Sequence, residues 1–351
     1  MAAIESLETA DPDALAGYDM VIDVRSPAEF AEDHAPGAVN LPVLSDAERA
    51  EVGTIYVQTS KFEARRIGAS YVARNVADHL AGPLADKGGG FRPLLYCWRG
   101  GMRSNAMAII LAEVGWRAAV LKGGYKTYRA RVREKLYDEP MALKVVLIDG
   151  PTGSAKTEIL RRAGLFGAQT IDLEGLAEHR GSLLGALPGR PQPGQKLFES
   201  RLLAELERLD PARPVLVEAE SSKVGDLVVP PALWSLMTGA PRIRIETPAP
   251  ARVAYLMRAY ADTVADREAL DQALSRLPLR LGRKRIDGWR VLARGGVFEE
   301  LAEELLSRHY DPAYARSSRS DERTPIEHIP LSRLDDAALD AAAHAIAERL
   351  G

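Results

Sequence analysis

The sequence predicts an α/β protein of two domains, each built around a parallel β-sheet that helices cover. Three observations lead to this fold class. The chain has 351 residues, more than one hydrophobic core usually serves. Short apolar segments alternate with helical ones in both halves, and a glycine-bearing loop joins a buried strand to a helix once in each half. We place the domains at residues 1–138 and 139–351, with Pro140 near the boundary.

In both halves, short apolar runs predict strands and longer mixed runs predict helices. In the first half we expect strands at 18–24, 38–42, 93–96 and 117–121, and helices at 63–80, 104–114 and 128–140. In the second half we expect strands at 143–149, 169–172, 214–217 and 242–246, and mostly helix beyond Pro248 up to a last helix at 334–350. Strands that alternate with helices indicate parallel sheets.

Composition narrows the class of protein. Hydrophobic residues make up 46% of the chain and charged residues 27%, as in soluble globular proteins. The single cysteine cannot form an intrachain disulfide, which fits a reducing compartment. Residues 1–11 lack a signal-peptide pattern, and the longest apolar run, 106–114, is too short to span a bilayer. We therefore expect a cytoplasmic protein with no membrane contact. Because the net charge is −3, any surface that binds nucleic acid must be a local basic patch.

Cys97 lies in a tight loop between the strand that ends at Tyr96 and a helix that begins near Ser104. Unpaired backbone N–H groups and the helix dipole stabilise an anion at such a position, and they lower the pKa of a thiol. Arg99 and Arg103 add positive charge beside it. A lone cysteine is more often a small buried hydrophobe, but the flanking glycines and arginines favour a nucleophilic thiolate. The candidate catalytic residues are therefore Cys97, Arg99 and Arg103.

A second loop, after the strand at 143–149, nearly matches the phosphate-binding pattern Gly-x4-Gly-Lys-[Ser/Thr]. Its backbone N–H groups would wrap a phosphate, Lys156 would reach a terminal oxygen, and Thr157 is a candidate ligand for Mg²⁺. Ala155 replaces the second glycine, and alanine disfavours left-handed backbone. The alternative is an ordinary strand-to-helix turn. The candidate phosphate or diphosphate site comprises Gly150, Thr152, Gly153, Ser154, Ala155, Lys156 and Thr157.

Carboxylates end two strands of the second half. Glu218 and Glu220 follow the strand at 214–217, and Glu218 stands where P-loop proteins carry a metal-supporting acid. Asp172 and Glu174 end an earlier strand, a usual place for ligand contacts in open α/β sheets. A solvated strand end is an equally good interpretation of either pair.

The segment from Arg276 to Arg294 is strongly basic. It holds seven basic residues and one acid, which give it a local charge of +6 in a chain of net −3. Trp289 lies among them, and a basic patch with an aromatic residue suits RNA. The alternative is a solvated helix face paired with the acidic run at 299–304. The candidate RNA-binding residues are Arg280, Arg283, Lys284, Arg285 and Arg290.

Three ordered motifs over residues 4–131 resemble the rhodanese domain family. They are the run from Asp23 to Pro42, the cysteine loop and the run Leu121-Lys122-Gly123-Gly124-Tyr125, and Asp33 departs from the family's usual glycine. Five residues separate Cys97 from Arg103. A loop of that length is similar to those of cysteine phosphatases and implies a phosphate-like donor. The phosphatase interpretation lacks the usual preceding histidine and leaves the second half unexplained.

A rhodanese-like domain followed by a P-loop domain is an uncommon pairing. Together with the runs from Asp172 to Ser182 and from Tyr310 to Tyr314, it resembles the bacterial tRNA 2-selenouridine synthase family. The resemblance implies a rhodanese-like parallel-sheet domain and a P-loop NTPase-like α/β domain with a helical C-terminal extension. It adds His179 and Arg180 as candidate site residues.

The resemblance also implies the chemistry. Selenium from selenophosphate replaces sulfur in 2-thiouridine at the wobble position of the tRNA anticodon stem-loop, after geranyl diphosphate has alkylated that sulfur. Cys97 would receive selenium as a perselenide or assist its delivery, and Arg99 and Arg103 would hold the phosphate. The phosphate loop would bind the prenyl diphosphate rather than ATP. We expect no tightly bound cofactor. Mg²⁺ is a candidate metal ion, and the selenophosphate-producing enzyme is a candidate partner.

Two other functions stay open at this point. The first is a sulfurtransferase, a persulfide carrier with a nucleotide-binding regulatory domain. It would use Cys97 in the same way but would need no tRNA surface. The second is a kinase-like or signalling ATPase with a degenerate rhodanese domain, whose nucleotide turnover would not depend on Cys97.

Overall fold

The computed structural model describes residues 4–278, 281–320 and 324–351. The chain divides into two compact units. The first contains the residues up to Asp138 together with Glu199–Arg201, and the second contains Glu139–Phe198 and Leu202–Gly351. Within the three described stretches, no helix combines the length and the hydropathy that crossing a bilayer requires.

The first unit is built on a five-stranded sheet in which every strand runs parallel to its neighbours, in the order β1-β5-β4-β2-β3. Its strands are β1 (Glu5–Leu7), β2 (Met20–Asp23), β3 (Val39–Asn40), β4 (Pro93–Tyr96) and β5 (Ala119–Leu121). Its helices are α1 (Pro12–Ala16), α2 (Pro27–Glu32), α3 (Asp46–Gln58), α4 (Lys61–Ala81), α5 (Met102–Glu113) and α6 (Tyr125–Arg133), and a π-helical turn follows at Glu134–Asp138.

The central strand β4 positions the cysteine loop. All four of its residues are buried, as expected for a strand that helices cover on both faces. Met107 and Leu111 on α5 are fully buried in the same apolar cluster as Leu95. Because β4 ends at Tyr96, the loop that carries Cys97 emerges at the carboxyl edge of the sheet, the edge at which open α/β sheets bind ligands.

The second unit has a parallel sheet in the order β12-β11-β6-β8-β7 and a separate antiparallel hairpin, β9–β10. Its strands are β6 (Lys144–Asp149), β7 (Gln169–Ile171), β8 (Pro214–Glu218), β9 (Lys223–Val224), β10 (Leu227–Val228), β11 (Arg242–Glu246) and β12 (Glu327–Pro330). Its helices are α7 (Lys156–Leu165), α8 (Leu173–Leu176), α9 (Gln195–Leu206), α10 (Pro231–Gly239), α11 (Ala249–Ala259), α12 (Ala261–Ala265), α13 (Arg267–Ser275), α14 (Arg283–Gly295), α15 (Phe298–Leu305), α16 (Asp311–Ser320) and α17 (Asp336–Leu350), with a π-helical turn at Leu306–Tyr310.

The helical region after β11 forms its own apolar cluster, which includes Leu270, Leu274 and Trp289. The chain then returns to the sheet, where β12 pairs with β11 and α17 joins the cluster beneath α7. The predicted α/β fold class, with one parallel sheet in each half and a largely helical C-terminal part, is confirmed. The sequence pattern does not predict β12.

Candidate active sites

Cys97 lies between the end of β4 and the first turn of α5, in the loop that the sequence singles out. Its Sγ accepts hydrogen bonds from the Gly101 N–H at 3.3 Å and from the Ser104 hydroxyl at 3.4 Å. The residue is only 4% exposed. The thiol is therefore enclosed by donors, an arrangement that stabilises a thiolate.

The pKa of the Cys97 thiol lies below its ordinary value. Burial alone raises this pKa, but the Ser104 hydroxyl and the backbone N–H groups of Ser104, Arg99 and Gly101 outweigh burial. These groups favour the charged form because they donate to the sulfur. A lowered pKa in a loop of hydrogen-bond donors favours a nucleophilic cysteine.

The two loop arginines lie in different surroundings. Arg103 forms an ion pair with Glu29, 2.7 Å between Nη1 and Oε2. Burial raises the pKa of the Glu29 carboxyl, but hydrogen bonds and charge from Arg103 hold it below its usual range. Arg99 is exposed. In this structure, therefore, Arg103 is neutralised by a carboxylate, and Arg99 is the exposed positive charge of the loop.

The Gly123-Gly124 pair has a structural role that its place in a family motif does not reveal. Tyr125 N–H donates to the Cys97 carbonyl at 2.8 Å. A Cβ on Gly124 would meet the Cys97 carbonyl and the Gly100 nitrogen, and one on Gly100 would lie 2.8 Å from the Gly123 nitrogen. The backbone of the cysteine loop thus packs directly against the backbone of Gly123 and Gly124. Gly100 and Gly124 must be glycine because a Cβ on either would clash with the other segment.

All seven predicted residues of the phosphate loop line one cleft of the second unit, with a volume of about 1680 Å³. The loop joins β6 to α7, and Lys156 Nζ donates to the Gly150 carbonyl at 2.9 Å. Ala155 has φ 60° and ψ 27°, so it adopts the left-handed conformation that the pattern's glycine would supply. The loop keeps its backbone shape although the glycine is absent.

The predicted carboxylates Glu174 and Glu218 meet at the loop. Thr157 donates its hydroxyl to Glu174 at 2.7 Å, and the Glu174 N–H donates to Glu218 at 3.3 Å. A Cβ on Gly181 would lie 2.5 Å from Glu174 Oε1 and 2.9 Å from Glu220 Oε1, so Glu220 belongs to the same cluster. Asp172 pairs with Arg161 at 2.6 Å instead. The interpretation of these acids as solvated strand ends is therefore wrong for Glu218, which is 1% exposed.

Burial raises the pKa of all three clustered carboxyls. The pKa of Glu174 rises to about 7 through burial and the nearby charge of Glu220. Burial, reinforced by the charge of Glu174, also raises the pKa of Glu218. Burial raises the pKa of Glu220. This cluster therefore favours either a bound proton or a cation.

The oxygen donors at the loop fit a hard cation. Glu218 Oε1 is buried and has no hydrogen-bond partner among the residues described, and a hydroxyl with carboxylates is the donor set that Mg²⁺ prefers. In the part of the chain that the structure covers, no three His, Cys, Asp or Glu side chains are placed to hold a metal ion. A cation here would need the phosphate oxygens of the ligand as further donors.

His179 and Arg180 both line the cleft. His179 Nδ1 accepts from the Gly181 N–H at 3.1 Å, and burial lowers the pKa of this imidazole. Arg180 pairs with Asp262 at 2.6 Å and lies 4.6 Å from the ring centre of Tyr260. The structure thus places His179 and Arg180 in the same cleft as the phosphate loop.

Arg252 is a site residue that the sequence analysis missed. It is 5% exposed, donates to the Thr152 carbonyl at 3.1 Å and forms a two-fold ion pair with Asp311 at 2.8 Å. It therefore links the Thr152 carbonyl of the phosphate loop to Asp311. The sequence signal for this residue was the run from Tyr310 to Tyr314, which contains Asp311, the partner of Arg252. In the same run, the Tyr314 hydroxyl lies 3.3 Å from Asp149 Oδ1 at the end of β6.

The basic segment is only partly as predicted. Arg283, Lys284 and Arg285 are exposed at the start of α14. Arg290, however, pairs with Asp271 at 2.9 Å, so its partner lies on α13 and not in the acidic run at 299–304. Arg280 lies outside the described residues.

The expectation that Trp289 contributes to an RNA-binding surface is wrong. The residue is 1% exposed and packs inside the helical cluster, so it cannot stack on an RNA base. Its position on the apolar side of α14, one turn after Ile286, explains the burial. Of the predicted residues, Arg283, Lys284 and Arg285 remain candidates for RNA contact, because they are exposed.

Comparison with known proteins gives consistent matches. A rhodanese-like domain family matches residues 6–131, and a family described as the tRNA 2-selenouridine synthase AAA domain matches residues 143–329. The chain is 34% identical to tRNA 2-selenouridine synthase of Chromohalobacter salexigens over 84% of this chain and 86% of that protein. It is 32% identical to the protein of that name from Sulfurovum sp., over 84% and 87%. A rhodanese-related protein from Thermoplasma volcanium has a similar structure, with 16% identity, a TM-score of 0.24 and coverage of 36% of this chain and 92% of that one.

Proposed function

The chain belongs to the tRNA 2-selenouridine synthase family, and from that premise we propose that it replaces sulfur by selenium in a tRNA 2-thiouridine at the wobble position. Two reactive centres would act in turn. The phosphate loop would bind geranyl diphosphate for alkylation of the sulfur, and the Cys97 loop would serve the selenium step. The observation that carries the proposal is a donor-lined thiol, with its pKa lowered, in the same chain as a phosphate loop.

In the first step, the thiocarbonyl sulfur attacks C1 of geranyl diphosphate. The new S–C bond forms as the C–O bond to diphosphate breaks, and the nucleobase loses its N3 proton. Negative charge accumulates on the departing diphosphate, and the loop N–H groups and Lys156, which line the cleft, would stabilise it. Mg²⁺ held by Thr157 and Glu218 would neutralise further charge on the diphosphate.

In the second step, selenophosphate attacks C2 and the alkylated sulfur leaves as geranylthiol. Water then cleaves the P–Se bond and releases phosphate, which leaves 2-selenouridine. N–H groups in the Cys97 loop, with the exposed Arg99, suit the phosphate of the donor. The Cys97 thiolate would accept the proton of hydrogen selenophosphate as the selenium attacks C2 and pass it to the departing geranylthiolate, so Cys97 forms no bond to selenium.

Substitution at each centre tests this division of labour. Cys97→Ser should leave geranylated tRNA to accumulate while 2-selenouridine falls below a hundredth of the wild-type amount, measured by mass spectrometry of tRNA nucleosides. Lys156→Ala should lower geranyl transfer at least tenfold, because it removes the charge nearest the leaving group. Lys144→Ala, at the opposite end of β6, is the matched control and should retain activity. Loss of both products in Cys97→Ser would refute the two-centre scheme.

We also propose that Arg283, Lys284 and Arg285 bind tRNA phosphates. Positive side chains in the first turn of a helix oppose its dipole, a cost of about 0.3–1 kcal/mol each. An RNA phosphate at this helix N-terminus would compensate for that cost, because phosphate suits both the dipole and the cations.

The triple change of these residues to Gln should weaken tRNA binding at least tenfold at 100 mM salt and lower the slope of log Kd against log salt by about 2. Arg290→Gln on the same helix is the matched control. Its side chain already pairs with Asp271, so its effect should be smaller. Equal effects of the triple and single variants would contradict the assignment.

A further inference from the structure

An apolar pocket of about 70 Å³ adjoins the cleft of the second unit. Five residues line both spaces, and they are Thr152, Ser182, Leu256, Tyr260 and Tyr310. Thr152 belongs to the phosphate loop. A Cβ on Gly153 would lie 3.1 Å from the Leu256 side chain, so the loop backbone packs directly on the pocket wall. The pocket therefore begins at the phosphate loop itself.

The inner wall of the pocket is hydrocarbon. Helices α11, α12, α13 and α15 supply Met257, Val264, Leu270, Phe298, Leu301 and Ala302. At the mouth, Ser182 Oγ lies 3.1 Å from the Tyr260 hydroxyl, and Thr263 Oγ1 accepts from Arg180 at 2.9 Å. These hydroxyls are thus engaged with protein partners.

This wall discriminates between classes of ligand. A purine buried here would place ring nitrogens against carbon, and unsatisfied polar groups are costly to bury. A hydrocarbon chain gains free energy from the same transfer. The group that extends from the phosphate loop into this pocket is therefore apolar.

We propose that this pocket receives the far end of the hydrocarbon chain of a prenyl diphosphate whose diphosphate lies on the phosphate loop, and that it selects chain length. The inference rests on the proposed function. An engineered cavity of about 150 Å³ holds benzene, so a pocket of about 70 Å³ takes only the last carbons of a chain. The nearer part of a ten-carbon chain lies along Leu256 and Tyr260.

The test compares dimethylallyl diphosphate, geranyl diphosphate and inorganic diphosphate. Each buried methylene contributes about fourfold to affinity. The wild type should therefore bind the ten-carbon ligand at least tenfold more tightly than the five-carbon one, which does not reach the pocket. Ala302→Leu and Val264→Phe fill the pocket, and each should reduce that preference below threefold while the Kd for inorganic diphosphate stays unchanged. Ala265→Leu, exposed on α12 and outside the pocket, should keep the full preference.

The outcomes distinguish a failure of this inference from a failure of the proposed function. If the wild type binds neither inorganic nor prenyl diphosphate, the assignment of the phosphate loop fails. If it binds inorganic diphosphate but shows no preference for the longer chain, the pocket inference alone is overturned. It is also overturned if the preference survives in both filled variants.

Discussion

Ala155 and Glu178 are the only non-glycine residues with positive φ in the stretches that the structure describes, at 60° and 50°. Left-handed backbone costs an L-residue about 1–2 kcal/mol. Both residues line the cleft of the second unit, so this strain lies at the candidate site and not in a distant turn. The surrounding loop therefore imposes the backbone shape of a phosphate cradle on Ala155, against the preference of its own side chain.

At Gly124 the decisive factor is a close contact rather than φ alone. Gly124→Ala would push a methyl group into the Cys97 carbonyl and the Gly100 nitrogen. We expect it to destabilise the protein by more than about 2 kcal/mol and to slow alkylation of Cys97 by iodoacetamide at least tenfold. Urea unfolding and the alkylation rate measure these effects.

Gly115→Ala is the matched control for this prediction. Gly115 also has positive φ, 102°, but nothing lies within 4 Å of the Cβ that the change would add. It should cost about 1 kcal/mol and leave the alkylation rate unchanged. Equal losses in both variants would show that φ, and not the close contact, makes Gly124 necessary.

At the scale of elements, the ends of β7 and β8 and the start of α7 bring their polar groups to one place. Thr157, Glu174 and Glu218 form a hydrogen-bonded chain there, with Lys156 on the same loop. Parallel strands end at the same edge of a sheet, so carboxylates far apart in sequence become neighbours. Their mutual repulsion and burial make this edge sensitive to pH and to cations.

The raised pKa values of these carboxyls predict the pH dependence of stability. Between pH 4.5, the ordinary value for Glu174, and about 7, its value in the fold, the folded state holds protons that the unfolded chain has released. The free energy of unfolding must therefore fall as pH rises through that window. Glu218→Gln removes one of the charges, so it should flatten this dependence and stabilise the protein at pH 8 by on the order of 1 kcal/mol.

Thermal unfolding of the wild type and Glu218→Gln at several values between pH 5 and pH 8 measures the effect. Glu113→Gln, which changes an exposed residue on α5, is the control and should follow the wild type. Parallel curves for the wild type and Glu218→Gln would contradict the prediction.

At the scale of the whole molecule, each of the two compact units carries one of the proposed centres. The first presents a thiol at the carboxyl edge of its sheet, and the second presents a phosphate loop at the equivalent edge. In the proposed scheme the product of the second unit, geranylated tRNA, is the substrate of the first. Because that intermediate is covalent, it can leave one chain and bind another.

Mixing two inactive variants tests whether the geranylated intermediate passes from one chain to another. Cys97→Ser alone should stop at geranylated tRNA, and Lys156→Ala alone should leave 2-thiouridine largely unchanged. An equimolar mixture, supplied with both co-substrates, should restore 2-selenouridine to at least a tenth of the wild-type yield. A mixture that accumulates only geranylated tRNA would show that the intermediate does not pass between chains.

Signals in the amino-acid sequence predict the α/β class, β4 with its cysteine loop, and β6 with its phosphate loop. These signals are local, because apolar runs and adjacent glycines specify a strand, a tight loop and a helix within about twenty residues. The sequence pattern also indicates Glu174 and Glu218 as candidate site residues, but it is equally compatible with solvated strand ends.

The partners that these residues contact depend on tertiary packing. Arg103 pairs with Glu29, 74 residues away, Trp289 turns inward, and β12 completes a sheet from far along the chain. The apolar pocket beside the phosphate loop likewise needs residues from four helices. Such contacts depend on packing between segments that are distant in sequence, and a local pattern of residue types carries little information about that packing.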